Sequence, residues 1–132
     1  MDTPGNGLES VLKLEQLFFD HIKFQRTGNN AKGDVEINFD VKFRKKENED
    51  IYRVELSLSG RKKEDYVLEM CIVGVFSFSS DVVLDKEKKE MLISKNTIAI
   101  LMPYLRSEVS LVTSQPGMEP VVLPPFNVGA LF

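Results

Sequence analysis

A single cysteine, a single histidine and no tryptophan among 132 residues remove much of the chemistry that a chain of this size can carry. With Cys71 alone, neither a disulfide nor a cysteine-based metal site can be built, which fits a reducing compartment. No stretch reaches the ~18 apolar residues of a membrane-spanning helix. Residues 1–10 lack the cationic and apolar regions of an export signal and are expected to be flexible, so the reading is a cytoplasmic protein. A dominant charge is missing as well. The net charge is −3, with 28% charged residues of both signs, and no basic face is available for a nucleic-acid backbone. Glycine-rich phosphate loops of the Walker or dinucleotide type are absent, and no cofactor is expected.

The residues that could still do chemistry are isolated. His21 lies between Asp20 and Ile22 in a strand-like segment, where a lone histidine is more often a surface or interface residue than a base. Cys71 lies in the apolar run Leu68-Glu69-Met70-Cys71-Ile72-Val73 and reads as a packed thiol. The lysine-rich stretches 61–63 and 86–89 alternate with acids, the pattern of solvated faces.

What the chain does have is periodicity. Residues 34–44 alternate without error, with Val35, Ile37, Phe39, Val41 and Phe43 on one side and Glu36, Asn38, Asp40 and Lys42 on the other. Tyr52, Val54, Leu56 and Leu58 repeat the pattern after a charged hairpin at 45–50. Residues 11–26 carry apolar groups on both parities: Leu12, Leu14, Phe18, Ile22 and Phe24 on one, Leu17 and Phe19 on the other. Residues 66–78 are also apolar on both parities, implying a strand covered by a helix on one face and by a neighbouring subunit or segment on the other. Four such strands with short loops predict an antiparallel meander.

A helix is predicted behind the sheet, capped at Ser94 or Asn96 and closed by Pro116-Gly117, with the stripe Ile98, Leu101, Met102, Leu105, Val109 and Val112. Pro103 lies inside it and implies either a kink at Ala99 or a later start. The chain then runs through Val121-Val122-Leu123-Pro124-Pro125-Phe126, too apolar for a solvated tail and too rich in proline for an interior strand. It is expected to lie as an extended strap over apolar surface, with grooves beside it. The fold class is α+β, and 132 residues make one domain.

The run Ala99-Ile100-Leu101-Met102-Pro103-Tyr104-Leu105-Arg106, the turn Gln115-Pro116-Gly117 and the ending Leu123-Pro124-Pro125-Phe126-Asn127-Val128-Gly129-Ala130-Leu131-Phe132 resemble the SecB protein-export chaperones. Weaker agreement extends back through Gly74-Val75-Phe76-Ser77 and Val35-Glu36-Ile37-Asn38-Phe39-Asp40. The resemblance implies a homotetramer, a dimer of dimers with helices between two sheets, acting without ATP or enzymatic turnover as a holdase for unfolded precursor polypeptides. It also implies that Ile37 and Phe39 on the second strand, with Phe126, Leu131 and Phe132 on the strap, wall the client groove. Leu101, Leu105, Val109 and Val112 would form the oligomer helix face, and Glu69 the docking surface for the translocation ATPase SecA.

Two departures bear on SecA. Family members usually continue into a second helix and an acidic, zinc-associated tail that these residues do not contain, and His21 and Gln25 stand where the family's acidic sheet face expects acids. A SecB-like chaperone dedicated to one client, such as an antitoxin, is therefore the competing expectation. A small-ligand or enzymatic domain, with a closed polar pocket around His21 or Cys71, is the competitor from another class.

Overall fold

The computed structural model describes residues 11–30, 32–79 and 83–124. Strands β1 (Leu12–Arg26), β2 (Val35–Lys45), β3 (Ile51–Lys62) and β4 (Tyr66–Phe78) form one antiparallel sheet, followed by a helical run. The sheet order is β1-β4-β3-β2. Only β2, β3 and β4 form a meander. The first strand joins β4, not β2, which corrects the expected simple meander to a Greek-key connection. The reason is burial: Met70, Ile72 and Phe76 on one parity of β4 and Val73 on the other are all fully buried, which requires a neighbour on each edge.

Two bulges explain the mixed parity of β1. The register slips between Leu14 and Gln16 and again between Phe19 and His21, and each extra residue moves the following side chains to the opposite face. As a result Leu12, Leu14, Leu17, Phe19, Ile22 and Phe24, which occupy both parities of the sequence, all pair with even-numbered β4 residues on the helix-facing side. Phe18 is left on the outer side, across from Val73. There the Arg53 guanidinium lies 5.5 Å from the Phe18 ring centroid and bonds Glu55 at 3.0 Å. At Val73 the cover on this face thus comes from the chain's own side chains, Phe18 on β1 and Arg53 and Glu55 on β3.

The crossover from β1 to β2 is stitched to the β3–β4 turn. Thr27 N and Gly28 N donate to Asp65 O at 2.9 and 3.3 Å, and Asn30 N donates to Glu64 O at 3.2 Å. A Cβ on Gly28 would lie 2.0 Å from the Glu64 carbonyl oxygen, which belongs to a backbone that cannot swing aside. Gly28→Ala is therefore expected to destabilise the fold by about 2 kcal/mol, the overpacking range. Chemical denaturation measures this, and a change near zero would show that the crossover adapts.

The helical run begins earlier than the sequence pattern suggests. Helix α1 (Lys86–Met91) is capped by Asp85, whose carboxylate accepts from Lys88 N at 2.8 Å. A π-helical turn (Leu92–Asn96) follows, then α2 (Thr97–Thr113). Asn96 makes no side-chain cap bond, so the caps expected at Ser94 or Asn96 are replaced by Asp85. Buried Leu92 and Ile93 repeat five residues on as buried Thr97 and Ile98, a spacing that a π turn keeps on one face and an α-helix does not. The helix also runs unbroken through Pro103. Pro103 and Ala99 are both exposed, so the carbonyl deprived of its donor faces water.

Candidate peptide-binding grooves

One helix, about 10 Å across, cannot cover four strands spaced about 4.8 Å apart. Helix α2 lies over β3 and β4, with Ile98, Leu101, Leu105 and Val109 fully buried against Val54, Leu56, Met70, Ile72 and Phe76. The inner faces of both edge strands are left partly open. On β2, Val35, Ile37, Phe39 and Val41 are half-buried and Phe43 is 41% exposed. On β1, Leu17, Phe19 and Phe24 are half-buried, while Leu14 and Ile22 are 40% and 41% exposed. Two apolar margins thus flank the helix on the same side of the sheet.

The described part of the strap, residues 118–124, folds back along the helix. Val121 N donates to Thr113 Oγ1 at 2.8 Å, Ser110 Oγ to Val121 O at 2.8 Å, and Arg106 Nε to Leu123 O at 3.1 Å. Leu123 is buried against the core, and Met118 and Val121 pack on it. The acceptors and donors step backward along α2, so the strap is antiparallel to the helix. A hollow of about 210 Å³ lies between them, beside Pro103, Arg106, Ser107 and Val122.

The expected groove residues Ile37 and Phe39 lie in the β2 margin. Phe126, Leu131 and Phe132 fall outside the described residues. Leu101, Leu105 and Val109 are fully buried in this chain's own core, and Val112 packs against it, so these side chains are spent within the protomer. The opposite face of the helix carries exposed apolar side chains, with Tyr104 49% and Leu111 66% exposed.

Glu69 is exposed on the outer sheet face, in register with Lys23 on one side and Ser59 on the other. His21 pairs with Cys71 across β1 and β4, but its Nδ1 lies 3.1 Å from Asp20 and the Cys71 thiol is free and buried. Nearby, His21, Asn38, Asp40, Ser57, Ser59 and Glu69 line a hollow of only about 150 Å³, which Cys71 does not reach. Among the described residues, no group of three or more His, Cys, Asp or Glu side chains is placed to hold a metal ion. No described helix is long and apolar enough to cross a membrane.

The sequence pattern missed the far end of the β2 margin. Phe43, Tyr52, Leu84 and Ile93 floor a cavity of about 600 Å³ between the β2–β3 hairpin and α1. Tyr52 stacks edge-on against Phe78 at 5.6 Å, and burial, with Asp50 nearby, raises its phenol pKa above the ordinary value. Lys89 bonds Asp50 at 2.5 Å, and that bond holds its ammonium above the usual lysine range. The signal was present in the alternation that ends at Phe43, but residues 86–89 read as a solvated charge run, so no wall was expected opposite.

Comparison with known proteins gives a consistent family. A model described as "Preprotein translocase subunit SecB" matches residues 13–132. The protein-export protein SecB of Rickettsia akari is 24% identical over 102 residues, covering 74% of this chain and 65% of that protein's length. An uncharacterised protein of Methanocaldococcus jannaschii is 26% identical over 130 residues, 92% of this chain and 82% of that one. In structure, a Mycobacterium tuberculosis SecB-like chaperone, solved with a ChAD peptide from the HigA1 antitoxin, superposes with a TM-score of 0.75 over 91% of both chains at 13% identity.

Proposed function

Because the chain belongs to the SecB family, we propose that it is an ATP-independent holdase that binds non-native, extended polypeptides along the two margins beside its helix and keeps them competent for export. The observation that carries this reading is the pair of half-exposed apolar rows on β1 and β2, which face the helix and which it is too narrow to cover. An extended client presents side chains at period two, and every second one can enter such a row. Each buried apolar group contributes at roughly 25 cal/mol per Å², and repeated weak sites on one assembly raise avidity through effective concentration. Holding makes and breaks no covalent bond, so no catalytic residue is required. The same reading places the protein in the cytoplasm as a dimer of dimers.

A second reading narrows the client to one dedicated partner. Two observations favour it: Glu69 faces Lys23 rather than an acidic field, and His21 and Gln25 share that outer face. The structural neighbour's complex with an antitoxin peptide is in keeping with it.

Light scattering of a chemically unfolded model protein, diluted with and without the chain, tests the holdase reading. Wild type is expected to suppress aggregation, and Phe39→Ala combined with Phe43→Ala to weaken suppression several-fold while circular dichroism keeps the sheet signal. Full suppression by the double variant would remove the β2 margin from the binding surface. Suppression of aggregation for one partner alone, among many unfolded proteins, would select the dedicated reading.

A further inference from the structure

The cavity at the Phe43 end of β2 differs in charge from the rest of the molecule. The chain carries a net −3, yet among the described residues Lys45, Lys86 and Lys89 stand around this cavity with Asp50 and Glu90, while Arg44 turns its guanidinium to Glu55 on the outer sheet face. Lys89 is neutralised by Asp50. Lys86 reaches Glu90 only at 4.0 Å and is 89% exposed. Lys45 makes no ion pair among the described residues and lies 5.9 Å from the Tyr52 ring centroid. The rim therefore carries excess positive charge above the apolar floor.

We propose that this cavity is a specificity pocket for polypeptide segments in which a large aromatic or branched side chain is flanked by acidic residues. The proposal rests on the holdase reading and names the class of client it selects. The floor takes the anchor: about 600 Å³ lies in the range of ligand pockets and accepts a phenylalanine or leucine side chain with its neighbours. The rim takes the flanks, because low-dielectric walls strengthen the field of unneutralised cations on an approaching carboxylate. A polypeptide is favoured over a small amphiphile by continuity. Phe43 is both the last residue of the β2 row and a wall of the cavity, so an extended segment lying on that row runs directly into it.

Two fluorescein-labelled peptides test this by anisotropy with the full chain: one with phenylalanine and leucine anchors flanked by aspartate and glutamate, the other with the same anchors flanked by lysine. The acidic peptide is expected to bind about tenfold more tightly at low ionic strength, with the advantage shrinking toward about 0.5 M salt. Lys45→Glu with Lys86→Glu, both on exposed side chains, should reverse the preference, and Ile93→Ala should weaken both peptides. Equal affinities, a preference for the lysine peptide, an unchanged preference in the double variant, or stronger binding of decanoate than of the acidic peptide would each overturn the proposal. A chain that suppresses aggregation but does not discriminate between the peptides loses the pocket and keeps the holdase reading. A chain that discriminates but fails to suppress aggregation keeps the pocket and loses the holdase reading.

Discussion

Phe76→Ala is expected to cost about 4 kcal/mol of stability, near the middle of the range for truncating a buried phenylalanine. Phe76 is fully buried on the inner face of β4, in register with Leu14 on one side and Tyr52 on the other. Its ring fills the space above Gly74, where a Cβ would lie 2.6 Å from Phe76 Cε2 and 2.9 Å from Leu101 Cδ2. The glycine, the ring and the helix residue thus form one close contact between the layers. Truncation leaves a hole bounded by a central strand and a helix, neither of which can move inward without pulling its own neighbours out of register. The loss should appear as a lower urea midpoint with an unchanged slope, and as a drop in melting temperature on the order of 15 °C for a chain of this size. Both proteins must be compared at equal concentration, because assembly contributes to apparent stability. A loss below about 1.5 kcal/mol would mean that the layers collapse onto the gap and that the contact is less constrained than its geometry implies.

Asp65→Ala is expected to cost about 3 kcal/mol, because removing one partner of a buried ionic group leaves the others without compensation. Asp65 is 4% exposed and lies in the β3–β4 turn. Its carboxylate meets Arg26 at 2.9 Å and Lys62 at 3.3 Å. Arg26 continues from there to Gly28 O and Asn29 Oδ1, each at 3.2 Å. One carboxylate therefore ties the start of the Greek-key crossover to the β3–β4 turn. The variant should unfold earlier, and amide exchange at Thr27 and Gly28, which donate to Asp65 O, should accelerate more than exchange in the sheet interior. Asp65→Ala with Arg26→Ala should cost less than the sum of the single changes, since the second removes the stranded cation. Strict additivity would show that the two side chains do not act as a unit.

The parts of this protein that were legible in advance share one property: their signal is local. The β2 alternation from Val35 to Phe43 appears in the sheet with that parity intact, because an edge strand half-covered by a helix keeps a clean period of two. The stripe Ile98, Leu101, Met102, Leu105 and Val109 is the buried face of α2 for the same reason, at helical period. The misread parts break a period. In β1, two bulges moved the apolar residues onto one face, and no residue type at Glu15 or Asp20 announces that slip. In the helical run, the π turn places Ile93 and Ile98 five residues apart, so the stripe appears to begin late and residues 86–89 read only as a solvated charge run. Missing α1 also hid the cavity, since Leu84, Lys86, Lys89 and Ile93 form its second wall.

The amino-acid sequence by itself determined that this chain makes an antiparallel sheet backed by one amphipathic helix, because hydrophobic periodicity is written residue by residue. It also carried the family resemblance, in the run around Pro103 and the proline-rich ending. Only the tertiary structure decided which strand lies beside which, and so which apolar residues stay partly exposed. Strand order depends on which edges must be buried: β4, apolar on both faces, takes the interior and sends β1 and β2 to opposite margins. Because a helix is narrower than four strands, both margins keep apolar surface that the fold leaves partly uncovered.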